Sequence, residues 1–212
     1  MKILVTGADG LLGGLLCRSL VGRHEVVAAA AATEAGGELH GCTYCSVDLR
    51  DPEKVGELVA GVESIVHALP FDPEMGAGPQ AEQELLDCIA RSTYVLVTAA
   101  VEAQVARLVL ISQMGLVEDY PEDFVVNEAW TPLPRAEAVS LAPLMAELTC
   151  REIARTGAIK AICLRFGALG VQVGTSEEDA VAAVVDALER EQVGRGHSWR
   201  LRHVVSGGRF AR

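Results

Sequence analysis

The segment Thr6-Gly7-Ala8-Asp9-Gly10-Leu11-Leu12-Gly13 constrains the fold of this chain more than any other. It follows a short apolar run, Lys2-Ile3-Leu4-Val5, and precedes a helical pattern of Leu11, Leu12, Leu15, Leu16 and Leu20. Gly22 stops that helix and Glu25-Val26-Val27 begins a second strand, so the chain opens as strand, turn, helix, strand. Each glycine of the turn has its own task. Gly7 permits the tight reversal, Gly10 lets backbone N–H groups approach a pyrophosphate, and Gly13 lets helix and strand pack closely. The start of the helix adds partial positive charge and unpaired N–H donors at the same place. A glycine triplet by itself is weak and serves packing as well as binding. Its position behind the first strand of a βαβ unit is what points to a dinucleotide.

The same alternation continues along the chain. Strands are expected at 43–47, 64–68, 107–112, 158–165 and 199–205, and helices from Pro52 to Val59 and over 80–103, 143–155 and 177–191. Pro52 suits a first helical turn, and Gly157 suits a left-handed helix end. The stretches 28–37, 70–79 and 115–134 read as connections, rich in small residues, proline or acid. Several strands are apolar throughout, which means a parallel sheet covered on both faces. The expected fold is therefore α/β, a Rossmann-type doubly wound parallel sheet in three layers, α/β/α. With 212 residues the chain suits one domain. Half of it is hydrophobic but only 4% is aromatic, so its core must be aliphatic and rich in alanine.

Charge and cysteines narrow the function. A net charge of −11 argues against nucleic acid, whose phosphates need clustered Lys and Arg. The arginines at 195, 200, 202, 209 and 212 form only a loose scatter. No apolar run is long enough to span a membrane, and Met1-Lys2-Ile3-Leu4-Val5 enters a strand without signal-peptide anatomy, so a cytoplasmic protein is expected. Cysteines stand at 17, 42, 45, 88, 150 and 163. Cys42 and Cys45 make a C-x-x-C, but near a strand residues three apart face opposite ways. No second pair completes a metal set, and reduced, partly buried thiols are expected.

Taken in order, the motifs resemble the extended short-chain dehydrogenase/reductase family, in its NAD-dependent epimerase/dehydratase branch. The T-G-x-x-G-x-x-G turn is joined by Val47-Asp48-Leu49, similar to the family's D-L pair, and by Ile65-Val66-His67-Ala68-Leu69-Pro70, similar to V-V-H-x-A-A. Arg107-Leu108-Val109-Leu110-Ile111-Ser112 resembles R-F-V-Y-I-S-S, and Leu164-Arg165-Phe166-Gly167 resembles L-R-F-G. The resemblance implies that a dinucleotide meets Gly7, Asp9, Gly10, Leu11, Leu12 and Gly13. Its adenine would lie at Asp48 and Leu49, its adenosine ribose beside Ala68, Leu69 and Pro70, with Ser112 further along. At the end of the second strand Ala28-Ala29-Ala30-Ala31-Ala32 offers no charge, Glu34 follows, and no Lys or Arg stands between Arg23 and Arg50. That leans to NAD, with NADP the alternative.

The family pattern breaks at its chemistry. The family carries Y-x-x-x-K ahead of an A-E pair, and counting back from Ala146-Glu147 places Val139 at the tyrosine and Pro143 at the lysine. Met114 stands where a substrate-binding hydroxyl is usual. Valine has no proton to give and proline no cation, so no catalytic residue is assigned. Pro143 also predicts that its helix starts near Ala142, because proline suits only a first turn. Tyr120 and His67 are the candidate replacements, against a plain reading of Tyr120 as an exposed loop aromatic and of His67 as packed or solvated. Only residues 206–212 follow the last strand, a vestige of the family's substrate region. Homodimerisation is expected through the helix ending near Ala103 and the helix 143–155, with Tyr94-Val95-Leu96-Val97 and Leu144-Met145-Ala146 as the sticky runs. Three functions stay open: a nucleotide-binding sensor or interaction protein without turnover, an oxidoreductase or epimerase with relocated acid–base groups, and a scaffold without ligand.

Overall fold

In the computed structural model, which describes residues 1–33, 39–68, 78–170, 174–190 and 198–210, the inner strands bury both faces. The strands are β1 (Lys2–Thr6), β2 (Glu25–Ala30), β3 (Thr43–Ser46), β4 (Ser64–Ala68), β5 (Arg107–Gln113), β6 (Lys160–Phe166) and β7 (Trp199–Val204). In β1, Leu4 enters one apolar cluster while Ile3 and Val5 enter the other. β2, β4, β5 and β6 alternate in the same way, which is why they read as unbroken apolar runs. All neighbours pair in parallel, in the order β3-β2-β1-β4-β5-β6-β7.

Helices α1 (Leu11–Leu20) and α6 (Glu177–Glu189) cover one face. Helices α2 (Pro52–Leu58), α3 (Pro79–Leu86), α4 (Ser92–Glu102) and α5 (Ala138–Arg155) cover the other. The chemical reasons are local. The side chain of Asp51 accepts from the N–H groups of Glu53 and Lys54 and Pro52 fills the first position, so α2 starts as anticipated. On α5, Ala138, Ala142, Ala146, Cys150 and Ala154 recur every four residues and form the buried stripe. This is the alanine-rich, aliphatic core that the composition requires.

One expectation needs correction. Helix α5 begins at Ala138, four residues before the start expected from Pro143, which lies buried inside it. Proline has no N–H for the carbonyl of Val139, but the side-chain amide of Gln113 donates to that oxygen at 3.3 Å. The orphaned acceptor is met from outside the helix, so the helix need not stop. The long helical region expected over 80–103 is present, with the five residues Asp87–Arg91 forming a π-helical turn between α3 and α4. Residues 115–134 are mostly loop, as expected, and the loop is packed. Met114, Val117 and Val126 make a small core with Tyr120, Trp130, Val205 and Phe210, and the N–H of Leu133 donates to Leu116 at 2.8 Å.

Strand order reverses beside β1. The chain moves outward through β2 and β3, then returns to set β4 on the other side of β1. The connections that leave the carboxyl ends of β1 and β4 thus lead to helices on opposite faces and open a crevice, the place where this sheet architecture takes ligands.

Candidate functional site

The glycine turn sits in that crevice. Gly7 has φ of +65°, and a Cβ there would lie 2.3 Å from the carbonyl oxygen of Ala68 at the end of β4. A Cβ on Gly13 would lie 2.0 Å from the carbonyl oxygen of Gly7, so helix and turn touch backbone to backbone. Gly10 is extended, forms the N-cap of α1 and bonds back to Gly7 at 3.0 Å. No side chain caps α1 and no acid occupies its first turn. By contrast α6 carries the Ser176 cap with Glu177, Glu178 and Asp179 behind it. The first N–H groups of α1 (Leu11, Leu12, Gly13) therefore belong to an end that its own side chains leave unmet, beside a cradle that any Cβ would fill. Such an end suits an anion. Asp9 and Leu11 are exposed on the turn, and Leu12 is half-buried against the core.

Asp48 follows β3 with its carboxylate exposed to about half. Arg50 grips it through the backbone N–H at 2.9 Å and through Nε and Nη2 at 2.9 and 2.8 Å, and sends Nη1 to Glu84 at 2.7 Å. The Arg50 hydrogen bonds hold the Asp48 carboxyl below its usual range. Asp48 is thus a fixed anion whose oxygens take three N–H donors of Arg50 while its side chain stays about half exposed. Leu49 packs partly against the core, and Ala68 lies buried beneath Gly7. Leu69 and Pro70 lie outside the described residues, as does Glu34. Ser112, at the end of β5, is buried and its Oγ has no partner among the described residues.

The other end of the crevice, where α5 begins, is chemically quiet. Val139 is half-buried, Pro143 buried, and Met114 closes into the small core beneath 115–134. His67 is 2% exposed and clamped. Its Nδ1 meets Thr6 Oγ1 at 2.6 Å and its Nε2 meets Thr93 Oγ1 at 3.0 Å, while Thr93 donates to the carbonyl of Ile89 in the π-turn. One tautomer satisfies every atom: Nε2–H donates to Thr93, and Thr6 donates to Nδ1. Burial lowers the His67 pKa to about 4, so at neutral pH it is an uncharged structural clamp. Tyr120 is half-buried, set edge-on to Trp130 at 4.7 Å, and its hydroxyl donates to Thr131 at 2.8 Å. It is a loop staple rather than an exposed aromatic.

Sequence reasoning missed one feature of this region. Arg165 of β6 and Glu147 of α5 form a buried ion pair at 2.8 and 2.6 Å. The signal was available, since an arginine inside the apolar run of β6 requires a buried anion. Ser112 and Arg165 are partners across β5 and β6, and Arg165 Nη1, like Ser112 Oγ, lacks a partner among the described residues. Cys42 and Cys45 join clusters on opposite faces of the sheet, as their spacing implied. Among the described residues no helix is long and apolar enough to cross a membrane.

A model of the NAD dependent epimerase/dehydratase family matches residues 3–200. The chain is 34% identical over 137 residues to sterol demethylase protein B of Methylococcus capsulatus, a match covering 63% of this chain and 40% of that protein. It is 44% identical over 68 residues to 2-alkyl-3-oxoalkanoate reductase of Stenotrophomonas maltophilia, covering 32% and 21%. Each match spans less than half of the curated relative's length. Among solved structures, uronate dehydrogenase from Agrobacterium tumefaciens superposes with a TM-score of 0.81 at 20% identity, over 97% of this chain and 76% of that one. UDP-glucuronic acid 4-epimerase from Bacillus cereus, solved with UDP-glucuronic acid and NAD, gives 0.81 at 18% identity, over 98% and 78%. At these identities the likeness establishes a Rossmann-type α/β fold.

Proposed function

We propose, from the premise that this chain belongs to the NAD dependent epimerase/dehydratase family, that it binds NAD and acts as a sensor or interaction protein without the family's turnover. The observation that carries the binding half is the uncapped start of α1 beside a cradle that no Cβ fits. In this reading residues 1–212 are one dinucleotide-binding unit. The pyrophosphate lies over Gly10–Gly13, held by the backbone N–H groups of Leu11, Leu12 and Gly13. Gly7 and Ala68 let the nucleotide lie close to the sheet. Asp48 accepts from the adenine amino group with Leu49 beneath the ring, and Ser112 completes the wall. NAD when bound supplies a hydride-accepting ring; the family's NAD-bound solved member named above supports that choice over NADP.

The loss of turnover rests on Val139, Pro143 and Met114, on the closed His67 clamp and on the Tyr120 staple. A hydride transfer needs a placed proton donor, and none of these side chains is placed as one. We propose further that the protein is a homodimer through α4 and α5. Tyr94, Met145 and Leu148 are 58%, 44% and 38% exposed there, whereas Leu96, Val97 and Ala146 belong to the chain's own core. Light scattering at micromolar concentration should give the dimer mass.

The test is thermal-shift and calorimetric titration with NAD, NADH, NADP and NADPH, joined to a turnover screen on nucleotide sugars, sugar acids and simple carbonyl compounds. NAD should raise the melting temperature, because a ligand held only by the folded state stabilises it. Gly10→Glu should abolish that rise by setting bulk and like charge at the phosphates. No rise with any dinucleotide would leave the ligand-free scaffold. Turnover faster than roughly 1 s⁻¹, the low end of ordinary enzymes, would instead establish an oxidoreductase or epimerase with relocated acid–base groups.

A further inference from the structure

We infer that Asp9, at the crest of the glycine turn, reads the 2′-hydroxyl of the adenosine ribose and sets the preference for NAD over NADP. This inference rests on the dinucleotide-binding reading above and deepens it. The fold ordinarily takes this contact from an acid at the end of the second strand, or replaces it by a basic residue when the ribose carries a phosphate. Among the described residues at this strand end neither exists. β2 ends on Ala29-Ala30, and Ala31, Ala32 and Thr33, all exposed, carry no charge.

The structure brings a substitute to the same corner. The N–H of Ala8 donates to the carbonyl of Ala29 at 3.1 Å, so the turn is tied down onto the end of β2 and Asp9, the next residue, is exposed beside it. From the other side Tyr44 of β3 reaches across, its hydroxyl donating to the carbonyl of Ala32 at 2.7 Å. Burial and, after it, the charge of Asp9 hold the Tyr44 phenol above its ordinary range, so the phenol keeps its proton. Asp9, next to the Ala8 tie on Ala29, and Tyr44, bonded to the Ala32 carbonyl, thus lie at the same end of β2, next to the phosphate-binding end of α1. An ionised carboxylate there accepts a ribose hydroxyl as a charge-assisted bond.

The same corner is hostile to a 2′-phosphate. That group carries close to two negative charges at neutral pH, and it would meet Asp9 directly. Arg50, on the same edge of the sheet, is already committed, with Nε and Nη2 on Asp48 and Nη1 on Glu84. The preference therefore comes from an anion in the turn combined with a neutralised arginine, instead of from the strand end where sequence reasoning looks for it.

Calorimetric titration of NAD and NADP into the wild type, Asp9→Asn, Asp9→Arg and Glu34→Gln tests this directly, without any turnover. The wild type should bind NAD more tightly than NADP. Asp9→Asn should lose on the order of ten-fold in NAD affinity, the scale of one charge-assisted bond, and should narrow the NAD/NADP ratio. Asp9→Arg should reverse the ratio. Asp9 is exposed, so unliganded melting temperatures should stay within a few degrees of wild type and separate binding from folding. A wild-type preference that survives in both Asp9 variants, or that is lost in Glu34→Gln instead, overturns the inference while leaving dinucleotide binding intact. A wild type that binds neither nucleotide overturns the binding reading itself.

Discussion

The two ends of the crevice, the glycine turn between β1 and α1 and the start of α5 beyond β5, solve opposite problems with backbone groups. At the turn, the N–H donors of α1 are left without caps, and Gly7 and Gly13 bring backbone within distances that no side chain would survive. At α5 the opposite holds: a carbonyl that Pro143 would leave bare is covered by Gln113, and the neighbouring side chains are Val139 and Met114. One end keeps polar groups open where a phosphate would use them. The other closes its polar groups and offers apolar surface. A chain shaped only for stability would have capped α1 as it capped α2 and α6, since a cap contributes about 1 kcal/mol. The difference teaches that binding and chemistry are separable within one site.

The largest expected effect comes from filling the open end. Gly13→Val places atoms where even a Cβ meets the Gly7 carbonyl oxygen at 2.0 Å, with backbone on both sides and nothing flexible to yield. We expect a loss of about 3 kcal/mol or more, at the upper end of overpacking costs, together with loss of any NAD-induced rise in melting temperature. Urea unfolding measures the first and calorimetry the second. A variant that unfolds at the wild-type midpoint would show that the turn relaxes easily, and the contrast between the two ends would dissolve.

A middle-sized effect tests whether His67 belongs to structure or to chemistry. Its folded-state pKa is lowered by burial to about 4, from 6.5. The unfolded chain therefore binds the proton first as pH falls. The sign follows: the contribution is fully present above about 6.5 and is lost progressively as pH drops towards 4. A tenfold difference in proton affinity between folded and unfolded chain is worth about 1.4 kcal/mol. Acidification across this window should therefore cost the wild type up to about 3 kcal/mol more than His67→Asn. The comparison is of unfolding free energies at about pH 7 and about pH 4.5 for the two proteins, which cover most of that window. Equal slopes would mean that His67 protonates readily in the fold, and it would return as an acid–base candidate.

How much of this was legible follows from how local each cause is. The roles of Gly7, Gly10 and Gly13 are set by sterics within one turn, so the residue string alone points to them. The faces of β1, β4 and β6 follow from apolar runs, and the start of α2 follows from Asp51 and Pro52. The early start of α5 was not legible, because its permission comes from Gln113, 26 residues before Val139 and on another element. The same is true of Tyr120, whose partner Trp130 is fixed only when 115–134 folds back on itself. The grip of Arg50 on Asp48 is local and still escapes motif reading, which stops at the D-L pair. Asp9 is legible as part of the turn, but Tyr44, at the same end of β2, lies on β3 and needs the sheet to bring it near.

The smallest effect isolates the repair at α5. Gln113→Leu leaves the Val139 carbonyl without its 3.3 Å donor and should cost about 1 kcal/mol, the usual penalty for stranding one acceptor. Pro143→Ala restores an N–H four residues along the helix from that same carbonyl. In the Pro143→Ala background the carbonyl is met from within α5, so Gln113→Leu should then cost close to nothing. The double-mutant cycle should therefore show a coupling of about 1 kcal/mol between two residues whose side chains need not touch. Additive effects would mean that water or another group already serves the carbonyl, and that α5 tolerates Pro143 for a different reason. Coupling would instead identify Gln113 as the residue that allows a helix to carry proline at the place where the resemblance expects a catalytic lysine.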